Sequence, residues 1–135
     1  MSRETTLVSR FFVRPRAKRF LAIRAHPQKR RKWLDKLSHS PGLDSRYVRW
    51  LSKDADVLKH LRRHGAPDEC FVISASPELD GAVMDVETAL ARVMALGYGA
   101  VIACIPDRLA YYYGELGERH ALLCIDGTSG RNTPV

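Results

Sequence analysis

Cysteine is scarce in this chain: Cys70, Cys104 and Cys124 are the three present in 135 residues. So small and odd a number excludes a disulfide framework and points to a reducing compartment, read as the cytoplasm. Long apolar runs are missing too. The longest stretch without a charge, Val93 to Pro106, is shorter than the roughly 18 residues of a membrane span. Gly97 and Gly99 interrupt it, so no membrane partner is expected. Several motifs are absent: there is no phosphate-binding loop, no dinucleotide fingerprint and no serine elbow, so the sequence implies no cofactor. The glycine-and-aromatic signature of the common RNA modules is absent as well.

Acidic residues are missing from one region above all. Between Thr5 and Leu34 there is none, while ten Lys and Arg fall there. Up to Gly65 the chain carries 18 Lys and Arg against 5 Asp and Glu, a net +13. From Ala66 onward it carries 4 against 10, a net −6, so the whole has +7. Basic charge on that scale attracts polyanions, because each cation laid on a phosphate releases condensed counterions. Aromatics are interleaved with the charge: Phe11, Phe12, Phe20, Trp33, Tyr47 and Trp50. Exposed rings would stack on unpaired bases, which favours RNA over duplex DNA. The alternative is that these rings are core and that the basic half docks on the acidic half, within one molecule or between copies, or on an acidic partner protein.

The composition, 45% hydrophobic and 27% charged, is that of one globular domain. Residues 1–13 read as a basic N-terminal arm. Their richness in Arg suits a transit peptide, but the basic character continues past any cleavage point. Residues 14–126 read as a single α+β domain, basic over 14–65 and acidic and strand-rich over 66–126. Residues 127–135, mostly Gly, Ser, Thr and Pro, read as a flexible tail.

Within the domain, Arg19 to Ala25 is ambiguous between strand and helix, and its alternation favours a strand. Pro27 opens a helix to about Ser38, with Trp33, Leu34 and Leu37 inward. Ser52 is read as the cap of a helix over about 53–64. Cys70 to Ala75 is a strand. Asp80-Gly81 is a turn, and Asp85 caps a helix over about 86–96 that Gly97 closes. Gly99 to Ile105, almost wholly apolar, is a central strand covered on both faces. Leu109 to Tyr113 and Ala121 to Ile125 complete a meander. The expected architecture is one mixed sheet of about four strands with helices packed on it, its first two strands parallel through the 86–96 helix.

The charged residues in this frame define the candidate interface: Arg14, Arg16, Lys18, Arg19, Arg24, Lys29, Arg30, Arg31, Lys32 and Lys36. Tyr111 and Tyr113 join them. On a strand these two share a face opposite Tyr112, and one of the two faces is expected to be partly exposed. His60 and His64, at i and i+4 on one helix face, have metal-gripping spacing. A metalloprotease would need Glu after the first His, where Leu61 stands, so no metal is assigned. His120 and Cys124 share a strand face but stand about 13 Å apart, too far for a thiolate and its base. The three cysteines, each in an apolar run, read as small buried hydrophobes. The sequence thus reads as a small nucleic-acid-binding protein, with RNA favoured. A protein-interaction module that docks on an acidic partner is the alternative, and a metal-independent nuclease using His26, His39, His60 or His64 comes third. No spacing pairs any two of these histidines as acid and base, which favours a binder over an enzyme.

Overall fold

Ser2 starts a helix where an arm is expected. The computed structural model describes residues 2–125. The Ser2 hydroxyl accepts from the Thr5 amide and caps α1 (Arg3–Phe11). Glu4 lies in its first turn and Arg10 in its last, complementing the helix dipole. Leu7, Val8 and Phe11 form one apolar stripe, and all three are fully buried. The arm is therefore a packed helix, disguised in the sequence by its basic composition. The 127–135 tail lies outside the described residues.

The segment read as a strand is also helical. α2 (Arg14–Ile23) carries Pro15 in its first turn, where a missing amide costs nothing. Ala17, Phe20 and Ile23 recur every three residues and are buried, whereas Leu21 is exposed. That stripe outweighs the local alternation. α3 (Pro27–Asp35) continues into a 3₁₀ turn, Lys36–Ser38, and buries Trp33, Leu34 and Leu37 as expected. A short strand, β1 (Val48–Trp50), follows. α4 (Val57–Arg63) begins later than expected, because the cap is Asp56, which accepts from the Lys59 amide.

Beyond Gly65 the elements are β2 (Glu69–Ser74), β3 (Val83–Asp85), α5 (Val86–Leu96), β4 (Ala100–Ile105), β5 (Leu109–Tyr113) and β6 (His120–Cys124). Asp85 caps α5 through the Glu87 and Thr88 amides, and Gly97 closes it with φ of 78°. Among the described residues, six strands form one sheet in the order β1-β6-β5-β4-β2-β3, and every pairing is antiparallel. The sheet is thus larger than the four strands expected, and it is not mixed. The two extra strands, β1 and β3, have three residues each, too few for a visible alternation. β3 also corrects the crossover. The chain folds back from β2 to β3, and α5 then carries it to β4 on the other side of β2. The parallel pair joined by the helix is therefore β3 and β4, with β2 between them.

Helices cover both faces of this sheet in an α+β arrangement of three layers. α1, α2 and α3 pack on the face that carries Phe71, Ile73, Val101, Tyr112 and Leu123. α4 and α5 pack on the face with Val72, Ile102, Leu109, Tyr111 and Leu122. This explains why β4 reads as a continuous apolar run: every residue from Ala100 to Cys104 is buried. The 3₁₀ turn after α3 is stitched directly to the sheet. The Tyr112 hydroxyl donates to the Leu37 carbonyl at 2.6 Å, and the Gly99 amide donates to Ser38 Oγ at 3.2 Å. Gly99 has to be glycine here, since a Cβ would stand 2.4 Å from the backbone of Leu37 and Ser38. No helix among the described residues is long and apolar enough to cross a membrane.

Candidate nucleic-acid interface

α2 and α3 lie side by side on one face of the sheet, joined by a cluster of rings. Trp33 packs on Phe20, centroids 4.7 Å apart, and on Phe12 at 5.1 Å. Its indole N–H donates to the Arg16 carbonyl at 3.0 Å. Above this cluster the two helices leave a groove of about 310 Å³, lined by Arg16, Arg19, Lys29, Lys32, Trp33 and Lys36. Five of these six residues are cationic and none is acidic. Helix periodicity places Lys29, Lys32 and Lys36 at i, i+3 and i+7 on one side, and α2 supplies the opposite wall.

Arg16 forms the floor. Its guanidinium lies over the Trp33 ring at 4.1 Å, and it donates to the carbonyls of Trp33 and Pro41, each at 3.1 Å. Burial lowers its pKa from the ordinary value. Carbonyl dipoles and an indole face hold this charge without neutralising it with an acid. Like charges around one groove repel, which raises its electrostatic free energy.

The remaining expected interface residues divide into two groups. Arg14, Lys18 and Arg31 are exposed on the same helical layer. Arg24 and Arg30 are engaged elsewhere. Arg24 donates to Ser2 Oγ at 3.1 Å and lies 3.4 Å from Glu4. Arg30 bridges Glu4 and Asp80, with its Nε and a terminal nitrogen both on the Asp80 carboxylate, and its side chain is only 14% exposed. Burial works against its charge, but the hydrogen bonds and charges of Asp80 and Glu4 outweigh burial and raise the pKa. Arg30 therefore ties α3 to α1 and to the turn after β2, and it is not available to a ligand.

The tyrosines are corrected outright. Tyr111, Tyr112 and Tyr113 are 0%, 2% and 7% exposed. They do alternate between the two faces, but helices cover both faces, so neither offers a stacking surface. Burial pushes the Tyr112 hydroxyl up to about 12. Tyr111 Oη stands 2.8 Å from His120 Nδ1, and His120 Nε2 lies 2.7 Å from the Ser52 carbonyl. A carbonyl only accepts, so Nε2 carries the proton and Nδ1 accepts from Tyr111. Phe11, Phe12, Phe20 and Trp33 are likewise core, and Tyr47 is half-buried. Trp50 alone of the interleaved rings is exposed, at 40%.

Most of the histidines and cysteines considered for chemistry make structural contacts, whereas His60 Nδ1 is buried without a hydrogen-bond partner among the described residues. His26 Nδ1 accepts from the Lys29 amide and caps α3. His64 Nδ1 bonds the His60 carbonyl at 2.9 Å, one turn back. His39 faces Glu115 at 3.3 Å on the surface. Cys70, Cys104 and Cys124 are buried and form no disulfide among the described residues, and burial pushes the first two thiols up to about 11 and about 12. Among the described residues, no group of three His, Cys, Asp or Glu is placed to hold a metal ion.

Family models, curated proteins and solved structures contain no match to this chain. The geometry of its own side chains therefore carries the functional argument.

One feature of the surface escapes sequence reasoning. Beyond Arg16, a second cleft of about 470 Å³ opens between residues 39–50 and Arg119, with Trp50 in its wall. Arg119 reaches it because β6 pairs with β1, Trp50 opposite Ala121. The two residues are too far apart in sequence for any local pattern to connect them.

Proposed function

We propose that this protein binds nucleic acid through the groove between α2 and α3, with phosphates held by Arg19, Lys29, Lys32 and Lys36 above a fixed Arg16. The observation that carries this reading is a groove walled by five cations without an acidic residue, built on rigid helices over an aromatic floor. Such a site recognises backbone charge, so its affinity is set by counterion release and not by base sequence. The preference for RNA no longer draws support from Phe11, Phe12, Phe20 or Trp33, which are core. Trp50 is the ring left to supply it.

The test is binding of a labelled RNA, followed by fluorescence anisotropy across a salt series. The expected log–log slope is several units, and replacing Arg19, Lys29, Lys32 and Lys36 together by Ala flattens it by about one unit per lost contact. Replacing the exposed Lys59, on the opposite layer, leaves it unchanged. Polyglutamate of matched charge serves as competitor: if it displaces RNA at equal charge concentration, an acidic protein is the better partner. Absence of RNA binding at low salt, or a slope indifferent to the four substitutions, overturns the proposal.

A further inference from the structure

We propose that the cleft around Trp50 is a second subsite, which takes an unpaired base of a single strand whose phosphates run in the α2–α3 groove. This rests on the reading of that groove as a phosphate track and adds to it the class of nucleic acid.

Trp50 is the first reason. The other tryptophan, Trp33, is 3% exposed, whereas Trp50 leaves 40% of its surface open. The ring is nonetheless held in place. Tyr112 meets it edge to face, centroids 6.3 Å apart, and the Arg119 guanidinium lies over it at 4.1 Å. A fixed, open indole already covered by one flat cationic group is a surface on which another flat group can stack. A base that enters takes the guanidinium's place on the ring and frees Arg119 for a phosphate.

The second reason is continuity. Arg16 lines the basic groove, yet its Nε donates to the Pro41 carbonyl, and its Cγ fills the space where a Cβ on Gly42 would stand, 2.6 Å away. Pro41 and Gly42 line the Trp50 cleft. The two recesses therefore adjoin across one side chain, and a strand can pass from one to the other without leaving the surface.

Charge is the third reason. Among the described residues that line the cleft, Arg119 brings its charge directly over the Trp50 ring and none is acidic, while Glu115 stands outside the lining as the partner of His39. Its volume, about 470 Å³, lies in the range of sites for small organic groups. A duplex keeps its bases stacked on one another and offers the indole no free face, so the cleft discriminates between strands and duplexes where the groove does not.

The experiment follows the tryptophan emission of the whole chain during titration with an oligouridylate of about 12 nucleotides, a length within the site sizes of sequence-tolerant binders. An RNA duplex of the same length is titrated in parallel. Quenching by the single strand but not by the duplex is expected. Trp33 is 3% exposed but lines the groove, so the Trp50→Phe variant assigns the signal: quenching lost in it belongs to Trp50, and quenching that persists belongs to Trp33 and overturns the subsite. Trp50→Leu should weaken the single strand by about 5- to 150-fold, the factor one stacked base supplies, and leave the duplex unchanged. Should that variant fail to fold, the emission of the unmodified chain decides alone. Binding of both nucleic acids with unaltered emission overturns the stacking subsite and leaves the groove reading standing. So does a Trp50→Leu variant that is folded and binds both as before. If neither nucleic acid binds at low salt, both readings fall together.

Discussion

Replacing Gly99 by Ala tests whether the turn that carries Lys36 is fixed to the sheet. The new Cβ would stand 2.4 Å from the Leu37 carbonyl carbon and the Ser38 nitrogen, and 2.7 Å from the Leu37 oxygen. Ordinary carbon contacts begin near 3.5 Å, so the turn must retreat by about 1 Å. Two hydrogen bonds resist that movement: Tyr112 Oη to the Leu37 carbonyl at 2.6 Å, and the Gly99 amide to Ser38 Oγ. Overpacking costs about 1–3 kcal/mol. Stranding the Tyr112 hydroxyl, which is buried, adds about 1–3 kcal/mol. The expected loss is therefore about 2–6 kcal/mol, read by urea unfolding, with Tm lower by roughly 7–21 °C for a chain of this size. Gly65→Ala is the comparison. Its added Cβ meets nothing within 4 Å, so only the strain of its positive φ, 89°, remains, about 1–2 kcal/mol. A Gly99→Ala variant within half a kcal/mol of the unmodified protein would show that the turn yields freely. Lys36 would then not be held in place by the sheet.

Two further predictions use other contacts. Arg30→Ala leaves Glu4 and Asp80 without their shared partner and should cost about 1–3 kcal/mol, less than a fully buried pair because its edge is wet. Its salt slope for RNA should stay that of the unmodified protein, and a slope lower by a full unit would place Arg30 in the interface after all. The thiols of Cys70 and Cys104 should resist a thiol reagent at pH 8 in the folded protein and react readily in denaturant. Their raised pKa values also have a stability consequence. Below about pH 9 the thiols are protonated in both states. As pH rises from there towards about 11–12, the unfolded chain ionises first and folding stability falls. Rapid labelling at pH 8 would contradict the burial of both groups.

Packing Arg16 over Trp33 and gathering four more cations around it costs electrostatic energy that no acidic residue of the groove lining offsets. By contrast, Arg24 and Arg30 spend their charge on Glu4 and Asp80 within the molecule. Charge density in the sequence cannot separate these two uses, because a basic residue looks the same whichever it serves.

Local signals determined much of this protein. Asp85 and Gly97 mark both ends of α5 because capping geometry is written in neighbouring residues. The uninterrupted apolar run of β4 announced a strand covered on both faces, and the three cysteines announced themselves as core. The cations at Lys29, Lys32 and Lys36 were legible as one face of a helix. Tertiary structure decided the rest. α1 was hidden because its three buried apolar residues lie among charges that solvent holds outward. β1 and β3 were hidden because three residues carry no period, and only pairing with β6 and β2 makes them strands. The tyrosines lost their exposed face to helices distant in sequence that close over both sides of the sheet. The cleft of Trp50 and Arg119 exists only because the first and last strands lie side by side. Hydrogen bonding between strands is blind to sequence separation, and so the cleft could not be read from any stretch of the chain taken alone.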